Sequence, residues 1–357
     1  MHSVIVSARS LDPLGRVCLL GIAVALIAYV VEYGRIAYGV AFLEKYAPDM
    51  TMFGLVKVAF SVTAAFLVFI AAQHVRSQNT LTTTAENSHA IYTALIANAA
   101  LLVSSAIVIS MPEILSAAVG EGHIVSTLTE LMLLAAVVIF VICAWRVRGN
   151  ISKTVFGVRL RFVFISMAVI CLVIAMEEMS WGQHWLGWEA GDLFTNNAQN
   201  ETNMHNFATN RFEAAYYTAA FLTFVVIPAF LSVDLHPKLV DIAPLLPSCS
   251  FALAGVPVAG LMFEEWNIQV YQVWFFLAII VGLWIASTTD SFWIRVISIL
   301  TSVSLFLSQL VFISLGSAMV EGYELSEIRE LLISVLFASY ALLMHRRLRL
   351  ILLGDSV

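Results

Sequence analysis

Apolar runs of about 20 residues follow one another along the whole chain, separated by short polar connections. A helix needs about 20 such residues to cross a hydrocarbon core about 30 Å thick. Ten runs qualify: 14–33, 52–72, 91–110, 124–145, 160–179, 213–233, 246–263, 269–287, 292–314 and 328–345. Pro247 and Pro257 interrupt the seventh, which a spanning helix tolerates only where neighbours satisfy the freed backbone groups. No polar domain separates the runs. The pattern therefore predicts an all-α polytopic transmembrane bundle of about ten spans. Residues 1–357 then form a single integral membrane domain.

Composition agrees with this pattern. The chain is 61% hydrophobic and 12% charged, against about 45–50% and about 25% in soluble domains. That excludes a soluble enzyme, a disordered chain and a disulfide scaffold. The runs are continuous rather than alternating, which excludes a transmembrane β-barrel. A net charge of −6 offers no basic surface for nucleic acid. Cys18, Cys143, Cys171 and Cys249 lack CxxC spacing and read as small packing residues.

Basic residues set the expected orientation. With the N-terminus in the cytoplasm, 13 of the 18 lysines and arginines fall inside, among them Arg146, Arg148, Arg346, Arg347 and Arg349. Arg35, Lys45, Arg211 and Arg329 fall outside, and Lys57 lies just within the second span, placed to snorkel outward. Both termini are then cytoplasmic. This bias matches a bacterial inner membrane protein. Of the 24 carboxylates, 18 fall on the outer side or in the outer half of a span, an acidic face that attracts cations.

The densest polar text is MEEMSWGQHWLGWEAGDLFTNNAQNETNMHN, at the outer end of the fifth span. Glu177 and Glu178 lie at or near the edge of the hydrocarbon there. Carboxylates at such depth are functional candidates by default, because burying them unpaired is costly. If the helix continues, Glu177, Ser180 and His184 share one face by i, i+3, i+7 spacing. Trp181, Trp185 and Trp188 then form an interfacial stripe. The loop 180–212 is the longest connection outside the membrane, and long loops are often functional. Within it Glu201 and His205 stand at i, i+4. Gln199, Asn203 and Asn206 form a polar row suited to a polyol, a headgroup or a phosphate ester. A second acidic pair, Glu264 and Glu265, ends the seventh span at similar depth.

These residues predict a site. Glu177, Glu178 and Glu265 are its catalytic candidates. Gln183, Asn203, Asn206 and Arg211 are its substrate-binding candidates. Glu178, His184, Glu201 and His205 are its candidate metal ligands, since His nitrogen with carboxylate suits Zn or Mn, and carboxylate with amide oxygen suits Mg. Metal-free acid–base chemistry by paired carboxylates competes with that reading. Ser180 lacks a nucleophile-elbow frame.

The pair EExSWGQ and QNETNxHN, here over about residues 176–206, resembles a motif pair of uncharacterised bacterial polytopic membrane proteins. The resemblance implies a membrane protein and carries no activity with it. The serine, aspartate and three-histidine pattern of ceramidase-like membrane hydrolases is not matched. The expected function is an outer-leaflet enzyme that transfers or hydrolyses a headgroup, acyl or glycosyl unit on a lipid or lipid-linked substrate. An ion- or proton-coupled transporter and a non-catalytic membrane subunit are the other two readings.

Overall fold

The computed structural model describes residues 12–73, 84–120, 122–147, 154–194, 197, 200–231, 245–319 and 322–353. Gln199 and the segments 148–153 and 232–244 lie outside the described residues, as does the side chain of His184. The chain is a bundle of α-helices with one two-residue hairpin, Thr154–Val155 paired with Val158–Arg159. The helices are α1 Pro13–Tyr38, α2 Met52–Gln73, α3 Thr84–Ser110, α4 Pro112–Val119, α5 Ile124–Arg146, α6 Leu160–Glu178, α7 Gln183–Leu186, α8 Thr209–Phe221, α9 Ile227–Phe230, α10 Ala252–Gly255, α11 Gln269–Thr288, α12 Phe292–Leu315 and α13 Leu325–Leu353. A π-turn at Leu222–Val226 joins α8 to α9 into one long element.

Nine elements among the described residues are long and apolar enough to cross a membrane. The protein is an integral membrane protein. Its outer surface carries the large apolar side chains that lipid requires, and its interior is lined by alanine, glycine and serine that let backbones approach.

The seventh run differs from the other nine. It is a broken rod: a 3-10 turn at Cys249–Phe251, the single turn of α10, a second 3-10 turn at Val256–Ala259, and a third at Glu264–Asn267. Pro257 carries no N–H for the helical ladder, and Leu261 takes a left-handed φ of 56°, fully buried. Even so, the rod traverses the bundle. At one end the Leu246 carbonyl accepts from Arg347 and the Leu245 carbonyl from the Tyr340 hydroxyl. At the other end Glu265 bonds Arg329. These partners are 18 residues apart on α13, about 27 Å along a helix.

The neighbours supply the hydrogen bonds that a broken rod lacks. Lys57 of α2 donates to the Asn267 carbonyl at 3.1 Å. Gln272 of α11 donates to the Trp266 carbonyl at 2.8 Å and accepts from Ser61 of α2. Lys57 is therefore buried and turned inward instead of snorkelling. The rod touches the π-turn at Gly255, where a Cβ would lie 2.6 Å from the Phe224 carbonyl oxygen. Gly255→Ala is expected to destabilise the protein by about 1–3 kcal/mol through overpacking. Gly21→Ala, on α1 with open space around it, is the control. Thermal unfolding in detergent reads both, and equal midpoints would show that the contact is soft.

Candidate active site

The long-loop residues are positioned by an abrupt end to α6. Ser180, Trp181 and Gly182 take φ values of 45°, 55° and 96° in succession, and the helix stops at Glu178. The face expected for Glu177, Ser180 and His184 therefore does not form, because left-handed residues cannot continue a right-handed helix.

The turn hands the two carboxylates of the loop to separate tasks. Glu177 accepts from the Trp181 indole at 2.8 Å and from the backbone N–H groups of Met204 and His205 at 2.7 and 3.1 Å. The His205 ring stands 3.5 Å from the same carboxylate. Glu201 accepts through one oxygen from the Ser180 hydroxyl at 2.9 Å, the Asn203 amide at 2.7 Å and the Asn206 amide at 3.1 Å. Ser180, Glu201, Asn203 and Asn206 are all buried. Gln183 accepts from the Thr202 N–H at 2.6 Å. Glu201 and His205 thus face different groups. Arg211 is exposed on the first turn of α8. Trp185 docks the loop on the bundle by donating to buried Glu130 of α5 at 2.9 Å.

Beneath this loop lies a second cluster, inside the bundle. Glu178 of α6 and Glu330 of α13 are near neighbours there. Two neighbouring carboxylates away from water repel each other when both are ionised. The Tyr217 hydroxyl of α8 donates to Glu330 at 2.5 Å. One residue along α13, Arg329 donates to Glu265 at 2.8 Å, and its guanidinium lies 3.9 Å from the Tyr217 ring centre. Lys45, from the α1–α2 connection, bonds Glu213 of α8 and stands 3.7 Å from Glu265. Buried atoms without a hydrogen-bond partner at this end include Glu265 Oε2, Arg329 Nε, Tyr216 Oη and Tyr271 Oη.

The ring of Tyr271 also lines a groove of about 460 Å³ between α8 and α11, roofed by Phe42 and Leu43. Its α8 wall is smooth, made of Ala214, Ala215, Thr218, Ala219 and Leu222. Ala215, Ala219 and Leu222 are exposed on a membrane-spanning element, so the groove opens sideways toward lipid.

The two clusters divide the sequence candidates. Glu178 and Glu265 lie in the bundle cluster, and Glu177, Gln183, Glu201, Asn203, His205 and Asn206 in the loop network. No group of three His, Cys, Asp or Glu side chains arranged to hold a metal occurs among the described residues. Sequence reasoning did not assign Arg329, Glu330, Glu213, Tyr216, Tyr217 or Tyr271 to the site. The available signal was charge one turn inside an apolar run, as in EIRELLISVL, where lipid contact is expensive.

No family model, no curated protein and no solved structure matches the chain.

Two tests follow from this geometry. Glu201→Ala leaves three buried donors without their acceptor, each worth about 1–3 kcal/mol. Limited proteolysis between α7 and α8 is expected to speed up about tenfold, whereas exposed Glu189→Ala leaves the rate unchanged. Arg329→Met strands buried Glu265 and is expected to cost about 3–5 kcal/mol. Adding Glu265→Leu should recover most of that loss. If the double variant melts no higher than the single one, the two residues are not coupled.

Proposed function

We propose that this protein is a membrane enzyme that transfers or hydrolyses a polar group on a lipid or lipid-linked substrate. The observation that carries this reading is the bundle cluster itself. It holds a pair of neighbouring carboxyl groups and buried polar atoms without partners, and Tyr271 at its edge also lines a groove that opens sideways toward lipid. Buried unpaired polar atoms are costly, and their concentration at one end of an apolar bundle is best accounted for by a ligand that completes them.

The chemistry is general acid–base. In this reading Glu178 and Glu330 hold one proton between them, one partner delivering a proton to a leaving oxygen and the other accepting one from the attacking hydroxyl or water. Tyr217 fixes the orientation of Glu330. Glu265, held by Arg329 and Lys45, sets the local charge. The loop network closes the site from above, with Glu177 and Glu201 organising its backbone and Arg211 at its rim. The distribution of basic residues favours the extracytoplasmic side of a bacterial inner membrane for this end.

A second reading, a proton-coupled transporter, is favoured by the broken rod, since interrupted helices accompany ion and solute sites in transporters. Lipid mass spectrometry separates the two. Membranes from cells making the wild-type protein, Glu178→Gln or Glu330→Gln are compared with membranes lacking it. One lipid species is expected to be consumed by the wild type. Each variant, still monodisperse on size exclusion, is expected to convert it at least about 100-fold more slowly. Identical profiles in all four membranes, with proton-driven flux in proteoliposomes, would favour the transporter.

A further inference from the structure

The groove between α8 and α11 is built like the seat of a chain, and the atoms behind it specify what the chain should carry. Its volume of about 460 Å³ falls within the roughly 300–1,000 Å³ of ligand sites. Its walls are alanine and aliphatic carbon. Its end is Tyr271, 3% exposed, whose hydroxyl is without a partner. Behind Tyr271, whose ring centre lies 5.8 Å from the Arg329 guanidinium, Glu265 and Arg329, 2% and 1% exposed, each keep one unpartnered atom, Oε2 and Nε.

These orphans are mixed in kind. Glu265 Oε2 only accepts, Arg329 Nε only donates, and Tyr271 Oη does both. A phosphate would suit Arg329 but set an anion against Glu265. A quaternary ammonium brings no hydrogen for any of them. A primary ammonium would meet the cations of Lys45 and Arg329. Hydroxyl groups both donate and accept, and so match each of the three.

We infer that this groove seats the hydrocarbon chain of a membrane lipid whose polar end carries hydroxyl groups, and that this end is received by Tyr271, Glu265 and Arg329. Phe42 and Leu43 cover the groove from the same connection that supplies Lys45. Entry of the polar end therefore requires that connection to move. The inference rests on the lipid-substrate reading and names the substrate class.

Photolabelling in nanodiscs tests it. The probes are a diacylglycerol, a monoglucosyl lipid and a phosphatidylcholine, each with a diazirine in one acyl chain. The two hydroxyl-bearing probes are expected to label α8 between Ala214 and Leu222 saturably, about fivefold more than phosphatidylcholine. Whichever of the two labels more strongly identifies the source of the hydroxyls. Ala215→Trp and Ala219→Trp, which fill the groove from its open side, are each expected to lower that labelling about fivefold. Labelling of α12 around exposed Leu307 should stay constant. Tyr271→Phe should narrow the preference over phosphatidylcholine.

Equal, non-saturable labelling by all three probes, unchanged by either tryptophan, would overturn the seat and leave only annular lipid. Saturable labelling with no preference among probes would overturn the hydroxyl assignment. Labelling needs no turnover, so a labelled groove without lipid conversion counts against the enzyme reading alone. Conversion without saturable labelling counts against the groove alone.

Discussion

The ion pair between Arg329 and Glu265 is the constraint around which this end of the bundle is organised. Both side chains are almost fully buried, in a protein whose surroundings are hydrocarbon. Removing either charge from water is expensive, and the pair is tolerable only with close geometry and further polar partners. Those partners fix the neighbouring elements. Lys45 brings the α1–α2 connection over the site, Glu213 and Tyr217 bring α8, and Tyr271 brings α11. A single buried guanidinium thus draws five segments of the chain to one point.

The opposite end of α13 repeats the device. Arg347 forms a two-point pair with Glu86 of α3, at 2.6 and 3.0 Å, and also donates to the Leu246 carbonyl. The last helix therefore grips both ends of the broken rod. This explains how residues 249–267 can cross the bundle without a continuous helical ladder. Carbonyls at their far end are met by side chains of α2 and α11, and side chains of α13 hold the Leu245 and Leu246 carbonyls just before them. A rod held this way need not be straight, and its turn at 260–263 delivers Glu265 to Arg329.

The polar loop and the bundle cluster have different physical characters. In the loop, carboxylates and amides meet one another's hydrogen-bonding needs: Glu201 accepts three bonds and Glu177 caps two backbone N–H groups. Such a network gives a loop of many polar residues one conformation. In the bundle, buried groups are left incomplete, and two carboxyl groups stand beside each other. The first arrangement suits a cover and the second suits chemistry, which is why the proposed function is placed on the second.

Much of this was legible in the chain itself. Continuous apolar runs of spanning length fix the fold class, because in lipid only an internally hydrogen-bonded helix satisfies the backbone over such a stretch. Adjacent acids near the ends of two runs marked Glu178 and Glu265, since charge at that depth is costly enough to need a reason. The sequence did not tell which polar residues serve the loop and which the interior, nor that Asn203 and Asn206 turn inward to Glu201. It did not disclose the partners of Glu178 and Glu265, among them Glu330 and Arg329 of α13 and Lys45 of the α1–α2 connection, each far away along the chain. Nor did it show that the seventh run is broken, as proline is compatible with a kinked helix and with a rod alike. Periodicity and burial cost act along one segment, so sequence reports them. Pairing of charges and closing of grooves act between segments, so only the packed bundle decides them.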